Sequence, residues 1–330
     1  MSRFATIDLS KVTPPEIVES LDANSIASDI TDAFVTAYPD FSAVLQSDPV
    51  VKLINVVAKR EVLLRARVND AAKAVLLAFA SGPDLENVAA LLATERALVD
   101  PGDPDAVPPV DPTYEDDDRL RARAQLAMEA LSVAGPEGAY TYHAVSADGR
   151  VLDVALAAPT FARWDPTPAA LAELPSGAIV LTVADAKGLT DPMPGDVAVT
   201  VLSSEGDGQP DTAMLEAVGA ALNSDEIRPI SDTPRIRSGT KQDYSVSAKL
   251  DVYSGPDPEV VRAAADAAVT AFVADQRKLG EPVTFDGLHA ALRVAGVRKV
   301  TLSEPSAEIE PMAWGYAHCT SIAVTLAGGD

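Results

Sequence analysis

His318 and Cys319, neighbours near the end of the sequence, are the two residues whose types most readily suggest catalysis. A cysteine nucleophile needs a histidine base within hydrogen-bond reach. The run HCTSIAVTL predicts a strand from His318 to Leu326, and adjacent side chains on a strand project to opposite faces. We therefore expect no proton transfer between the two residues and predict no catalytic residue in the chain.

The run GDGQPD, Gly206 to Asp211, is the stretch that looks most like a phosphate-binding loop. Its spacing is neither GxGxxG nor GxxxxGK[ST], and its acids would repel a phosphate. The run is therefore predicted to be a turn between a strand and a helix. No cofactor is expected.

Two places in the sequence resemble metal sites only in part. His143 and His289 occupy corresponding positions in a weak internal repeat, but no carboxylates accompany them at ligand spacing. Residues 99 to 118 contain eight acids, yet they lack the DxDxDG pattern of a calcium loop. No metal site is predicted.

The charge balance excludes several classes of protein. Asp and Glu number 49 against 26 Lys and Arg, a formal charge of -23. Such a chain is unsuited to neutralising phosphates of nucleic acid or to lying on an anionic membrane. The single Cys cannot form an internal disulfide, and no apolar run is long enough for a signal peptide or a membrane span. We expect a soluble chain whose partners are other proteins.

A long helix is predicted from Asp48 and Pro49 to the Ser81-Gly82 pair, with no internal Gly or Pro. A stripe with alternating spacings of three and four runs along it, as in a heptad repeat. It comprises Val50, Ile54, Val57, Glu61, Leu64, Val68, Ala71, Val75 and Ala78. The stripe is either the buried face of a helix within its own domain or the seam of an intermolecular bundle. For the second case, Val57, Glu61, Leu64, Val68 and Val75 are the interface candidates.

The remaining sequence predicts an α+β chain with four parts. Residues 1–98 are a helical N-terminal arm that contains the long bundle-type helix, and 99–114 are an acidic, Pro-rich linker expected to be extended. Two small α+β modules follow, at 115–234 and 235–330. Their relationship is suggested by six identities between the 17-residue runs 143–159 and 289–305.

One cluster of basic residues stands out in this acidic chain. It comprises Arg228, Arg235, Arg237, Lys241 and Lys249. The cluster is either a docking surface for an acidic subunit or a second copy, or a sheet edge protected by charge. The first four residues are included among the interface candidates.

Residues 115–159, beginning EDDDRLRARAQLAMEAL and continuing through AGPEGAYTY, resemble the baseplate J family of contractile-tailed phages and related injection machines. The matching positions are Asp117, Arg121, Arg123, Ala134, Gly135, Pro136, Ala139 and Tyr140. The similarity continues to the run Arg228-Pro229-Ile230-Ser231-Asp232.

The resemblance implies a structural, non-enzymatic protein of the baseplate wedge, which joins other wedge components around the tail tube. It implies as partners other wedge proteins and further copies of the chain, but no nucleic acid, membrane or small molecule. It places the protein in the virion tail baseplate, assembled in the cytoplasm of the bacterial host. The alternative is an enzyme for a small substrate with its site between the two α+β modules.

Overall fold

The computed structural model describes residues 7–14, 21–41, 45, 47–131, 135–255 and 257–327. These residues form two compact units. The N-terminal unit is Ala5–Arg96 with Asp116–Gln125, and the C-terminal unit contains Ala97–Glu115 with Leu126–Asp330, apart from the residues not described. None of the helices in the described ranges combines the length and the apolar character needed to cross a membrane.

The described residues of the N-terminal unit contain four α-helices: α1 (Ala23–Ala37), α2 (Pro49–Ala74), α3 (Gly82–Ala90) and α4 (Asp117–Leu126). The carboxylate of Asp48 caps α2 by accepting a hydrogen bond from the amide of Val50, and Pro49 is its first residue. Helix α1 packs against α2, and α3 and α4 share a small core with the turn that follows α2. The helical N-terminal region of the predicted α+β fold is thereby confirmed.

Helix α2 ends at Ala74, so the prediction that it continues to Ser81 is wrong. The Arg121 side chain of α4 explains the early end. Its Nε donates to the carbonyl of Leu77 at 2.9 Å, and its Nη2 donates to the carbonyl of Ala80 at 2.8 Å. These tertiary bonds hold residues 75–80 as a turn, whose Leu77 and Ala80 join the core with α3 and α4. No Gly or Pro marks this end in the sequence.

Asp117, at the start of α4, forms hydrogen bonds with two other segments of the N-terminal unit. Its Oδ2 accepts a hydrogen bond from the amide of Gly82 at 2.9 Å, and its Oδ1 accepts one from Nη2 of Arg96 at 2.7 Å. These bonds favour the carboxylate, so the pKa of Asp117 lies below its usual value, chiefly through the Gly82 amide and then through Arg96. Arg123 donates to the carbonyl of Glu95 at 3.0 Å.

The acidic, Pro-rich segment is not extended as expected. Strand β1 (Leu98–Asp100) pairs antiparallel with β2 (Thr113–Tyr114), and a further bridge joins Asp103 to Val110. Backbone hydrogen bonds need no apolar burial, and the acids themselves form turns: Asp100 accepts from the amide of Gly102, and Asp103 accepts from that of Asp105. Whether the segment acts as a linker between domains stays a prediction.

The first module of the C-terminal unit is a three-stranded sheet with two helices on one face. Its elements are α5 (Glu137–Ala147), β3 (Val151–Ala157), β6 (Asp196–Ser203), α7 (Thr212–Leu222) and β7 (Thr233–Ser238). The strand order is β3-β6-β7, with β3 antiparallel and β7 parallel to the central strand. Between β3 and β6 the chain forms a separate antiparallel pair, β4 (Thr160–Trp164) and β5 (Val180–Asp185), with α6 (Pro168–Ala172) connecting them.

The second module repeats this sheet with a different chain order. Its elements are β8 (Thr240–Val252), α8 (Pro258–Asp275), α9 (Phe285–Leu292), β9 (Val297–Glu304) and β10 (Gly315–Leu326). The strand order is β10-β8-β9, with β9 antiparallel and β10 parallel to the central strand. The 17-residue repeat contains a strand that follows a helix, β3 in the first module and β9 in the second. In each module this strand is the antiparallel neighbour of the central strand.

The structure groups two segments differently from the predicted division. Helix α4 lies in the N-terminal unit rather than in the module predicted from residue 115. Strand β7, which contains Arg235 and Arg237, pairs with β6 and so belongs to the sheet of the first module. The four-part division itself stays a prediction.

The two modules meet around the fully buried Tyr316 of β10. Its hydroxyl donates to the carbonyl of Asp207 at 3.0 Å and accepts from Nε2 of Gln209 at 2.7 Å. Lys241 reaches the carboxylate of Asp207 at 2.8 Å, and Arg277 donates to the carbonyl of Gly206 at 2.9 Å. The GDGQPD run is therefore a turn, as predicted, and it is bonded to the second module.

Replacing Gly208 by Ala should loosen this junction. Gly208 has a φ of +99°, and a Cβ there would lie 2.8 Å from Cε2 of Tyr316 and 2.9 Å from Cδ1 of Leu202. Overpacking of this kind costs about 1–3 kcal/mol in addition to the backbone strain. Gly206→Ala is the matched control, because Gly206 also has a positive φ, +51°, but no atom lies within 4 Å of its Cβ position. If urea unfolding shows that Gly208→Ala and Gly206→Ala lose equal free energies of unfolding, the described packing is contradicted.

Replacing Asp117 by Asn should weaken the acid dependence of stability. Because its folded pKa is lowered, Asp117 stabilises the folded state above its unfolded pKa of about 3.9, and this contribution is lost as the pH falls through the folded pKa. We expect Asp117→Asn to cost about 1 kcal/mol near neutral pH, a value reduced for its partial exposure, and less in acid. Asp84→Asn is the control, because Asp84 is an exposed acid in the first turn of α3, in the same unit. The free energy of unfolding is measured with denaturant from neutral pH to below the unfolded pKa. Parallel plots of this free energy against pH for wild type and Asp117→Asn would refute the role of Asp117.

Candidate docking surfaces

The residues first considered for chemistry have separate local partners. Nδ1 of His318 lies 2.8 Å from Oδ1 of Asp243, whereas Sγ of Cys319 donates to the carbonyl of Ser321 at 3.3 Å. Burial raises the pKa of the Cys319 thiol and lowers the pKa of His143. These shifts disfavour a thiolate at Cys319 and a charged ring at His143.

His318 and Asp243 are a pair of potential metal ligands that lie within hydrogen-bond distance of each other. In the part of the chain that the structure describes, no group of three or more His, Cys, Asp or Glu side chains could hold a metal ion.

The predicted stripe of α2 lies mostly on the surface of the N-terminal unit. The buried residues of α2 are Val51, Ile54, Ala58 and Asn69, so only Ile54 of the predicted stripe belongs to the buried face. The exposed fractions along the stripe are 45% for Val57, 63% for Leu64, 58% for Val68 and 70% for Val75, which caps the C-terminus of the helix. Glu61 forms a salt bridge with Arg65 one turn further on, at 2.5 Å.

The apolar stripe of α2 is bordered by positive charge. The helix contains six Lys and Arg against two acids, a net charge of +4 within a chain of -23. Arg60 and Arg67 are exposed, and they stand four residues before and three residues after Leu64. Helical spacing puts them on the same side as Leu64. The exposed face of α2 is thus apolar at its centre and basic at its margin.

The second predicted cluster is largely occupied by partners within the chain. Arg235 forms a salt bridge with the buried Asp196 at 2.9 Å. Arg237 donates to the hydroxyl of Thr200 at 2.9 Å and stacks over Trp314, and burial lowers its pKa. Lys241 contacts Asp207 across the junction of the modules. These bonds stabilise the C-terminal unit; a docking role for Arg228, Arg235, Arg237 and Lys241 stays a prediction.

Two of the residues that carry the sequence resemblance, Gly135 and Tyr140, meet the Arg228–Asp232 run at one end of the first module. The hydroxyl of Tyr140 donates to Oδ2 of Asp232 at 3.0 Å, and both burial and this bond raise the pKa of Tyr140. Gly135 has a φ of +73°, and a Cβ there would lie 2.6 Å from Cγ of Pro229. Two runs almost 100 residues apart in the sequence therefore hold each other in place. Ala134 lies outside the described residues.

A cleft of about 510 Å³ opens beside these residues. It is lined by Tyr140 and Asp232, by the end of β3 at Leu156 and by Phe161 of β4. Ile230, between Pro229 and Asp232, is fully exposed. The cleft is a second candidate docking surface.

The sequence reasoning missed two features of these surfaces. It identified the stripe of α2 but overlooked the positive charge along it, which a count of charges per helix would have revealed. It also did not anticipate that Tyr140 and Asp232 are bonded, because no local pattern indicates which distant residues of a fold will meet.

Comparisons with known proteins agree over most of the chain. A model described as the Baseplate J-like N-terminal domain matches residues 46–103, and one described as the Baseplate J-like protein C-terminal domain matches residues 244–325. The first match contains α2, and the second contains β10 except for its last residue, Leu326.

Baseplate protein J of Escherichia phage P2 is 35% identical to this chain, in an alignment that covers 98% of this chain and 99% of the P2 protein. Among solved structures, a chain in the sixfold-symmetrised cryo-EM structure of the anti-feeding prophage baseplate is 14% identical, with a TM-score of 0.37 over 64% of this chain and 43% of that one. A score this low supports no conclusion. The nearly full-length P2 relative, with the two matched domains, shows that this chain belongs to the baseplate J-like family.

Proposed function

We propose that this chain is a structural protein of a phage-like tail baseplate, and that the exposed face of α2 docks onto another baseplate protein. The P2 relative is named as a baseplate protein and aligns from end to end, which supports a place in the tail baseplate of a virion. From the family we further infer a wedge role around the tail tube, with assembly in the cytoplasm of the bacterial host.

The exposed stripe of α2 is the observation that carries the docking proposal. Leu64 and Val68, one turn apart on α2, expose more than half of their surface in the isolated chain, and neighbouring exposed apolar side chains are typical of an interaction site. Burying one such side chain contributes about 1.5–3 kcal/mol. A partner that covers the stripe would therefore gain several kcal/mol from it.

The charge along α2 indicates the chemistry of the partner. Arg60 and Arg67 flank the apolar stripe, so a complementary surface has an apolar centre with acidic residues at its edge. An amphipathic helix with acidic flanks fits this description and would form the intermolecular bundle that the heptad spacing suggests.

The rival function, an enzyme with a site between the modules, has no support in the junction. Tyr316 is fully buried there, and its ring lies against the backbone of Gly208 and Gly239. Direct packing fills the place where a substrate would have to bind. A catalytic activity is accordingly no part of the proposal.

Replacing Leu64 by Glu tests the docking face. Because Leu64 is 63% exposed, the purified variant should keep its helical content and its unfolding midpoint. In the assembly, the new carboxylate would face an apolar, acid-flanked partner, so binding should fall by at least about tenfold, or 1.4 kcal/mol. Incorporation of the variant into tail particles, measured after expression with the other tail proteins, should fall accordingly.

Leu91→Glu is the matched control for this experiment, because Leu91 is 86% exposed at the end of α3, away from the stripe. It should be incorporated like the wild-type chain. Normal incorporation of Leu64→Glu would show that α2 is not the docking face, and unfolding of the purified Leu64→Glu chain would show that the stripe belongs to an internal core.

A further inference from the structure

The cleft in the first module has one wall that the fold holds firmly. The hydroxyl of Tyr140 donates to Oδ2 of Asp232 at this wall. Gly195 has a φ of +95°, and a Cβ there would lie 2.5 Å from the carbonyl oxygen of Ser231, so only glycine fits. These contacts hold α5 and the start of β6 against the 228–232 run. This side of the cleft is therefore formed before any ligand binds, as is usual for binding sites.

The opposite wall belongs to the β4–β5 pair, which is held less firmly. Both connections of this pair to the sheet, Ala158-Pro159 and Pro194-Gly195, line the cleft, and so does Phe161 of β4. The two strands pack chiefly against each other and only slightly against the other described elements. A two-stranded pair is marginally stable by itself. A ligand that fills the cleft would therefore also fix the β4–β5 pair on the module.

The lining of the cleft is apolar on the side of this pair. Leu156, at the end of β3, and Phe161 both line it. Phe161 stands opposite Val183 in the strand pair, so their side chains share one face, and Leu181, two residues away, lies on the same face. Val183 is 49% exposed and Leu181 is 44% exposed. The apolar lining thus continues along the pair as an exposed apolar face, which suits apolar side chains of a ligand.

The charges in the cleft are not fully compensated. Three carboxylates line it, those of Glu137, Asp196 and Asp232. Asp196 forms a salt bridge with Arg235 at 2.9 Å, and the charge of Arg228 acts on the hydroxyl that Asp232 binds. The carboxylate of Glu137 forms no ion pair within the described ranges. One negative charge, at Glu137, is therefore left for a ligand to neutralise.

A peptide segment with one basic side chain beside an apolar one matches this arrangement. The aliphatic stem of an arginine or lysine can lie along an apolar wall while its charged end reaches a carboxylate. A cleft of about 510 Å³ has the size of sites that bind short segments or small molecules rather than whole domains. A free inorganic cation would leave Leu156 and Phe161 uncovered. A second copy of the chain, at a formal charge of -23, would be repelled.

We propose that this cleft binds an arginine or lysine side chain, together with a neighbouring apolar side chain, from a segment of a different baseplate protein. The basic group contacts Glu137, and the apolar neighbour packs against Phe161 and Leu156. The β4–β5 pair, inserted between two adjacent strands of the sheet, holds the segment in place. The proposal rests on the place in a tail baseplate proposed above, but it does not depend on docking by α2, which lies in the other unit.

Photo-crosslinking from position 161 in assembled tail particles tests the proposal. A benzoylphenylalanine in place of Phe161 keeps an aromatic ring in the cleft. We expect an adduct with one segment of a different baseplate protein, identified by mass spectrometry. A lysine or arginine should stand within about three residues of the attached residue, roughly 10 Å of extended chain.

Charge reversal at Glu137 in the same labelled chain tests the role of the carboxylate. Glu137→Lys would set two like charges together, so the yield of the adduct should fall at least about tenfold, the equivalent of 1.4 kcal/mol. Glu137→Gln removes the charge at nearly constant size and should lower the yield by a smaller factor. Circular dichroism of the purified chains checks their folding, and Glu137→Gln provides the test if the Lys variant does not fold.

Glu216→Lys is the matched control, because Glu216 is an exposed acid on α7 of the same module and does not line the cleft. Its adduct yield should equal that of the labelled chain without this change. The inference would be overturned by particles that contain the labelled chain but give no adduct, by an adduct segment without a basic residue, or by a yield that neither Glu137 variant lowers. An adduct with a second copy of the chain would overturn it as well. Absence of the wild-type chain from tail particles would instead overturn the proposed function itself.

Discussion

The surplus of negative charge constrains every contact that this protein makes. At a formal charge of -23, most of its surface repels both further copies and other acidic subunits, and stable contacts must form where the surface departs from that average. Helix α2 is an exception because its charge is positive: it has a net charge of +4 around an apolar stripe. Strand β10 is a second exception because it is uncharged: the seven residues from Thr320 to Leu326, along an open edge, carry no charge. The proposed docking face of α2 lies at the first of these exceptions.

Internal bonds within each unit leave these two surfaces available. In the C-terminal unit, Tyr316 and the Gly206–Gln209 turn join the modules, so most of the basic side chains nearby are already bonded within the chain. In the N-terminal unit, Asp117 and Arg121 bond the segments around α3 and α4, and α1 packs against α2. The residues that carry the family resemblance therefore serve the fold, whereas the proposed contacts lie on other residues.

Local sequence patterns predicted most of the elements correctly, because their causes are local. The Asp48-Pro49 start of α2, the turn at Gly206 to Asp211 and the β-branched runs in β6 and β10 depend on residues close in the chain. The errors arose where distant residues decide. Arg121 ends α2 early through two carbonyls more than 40 residues away, and backbone pairing folds the acidic segment that composition alone predicted to be extended. Likewise, heptad spacing indicates an apolar face on a helix. The spacing is the same whether another part of the chain or a different protein covers that face.

Photo-crosslinking in assembled tail particles tests the docking role of α2 most directly. A benzoylphenylalanine placed at position 64 of α2 would lie in the proposed interface, whereas the same group at the exposed position 91 would lie outside it. We predict a covalent adduct between position 64 and a different baseplate protein, identified by mass spectrometry, and no such adduct from position 91. Particles that contain the labelled chain but show no adduct at position 64 would contradict the docking role of α2.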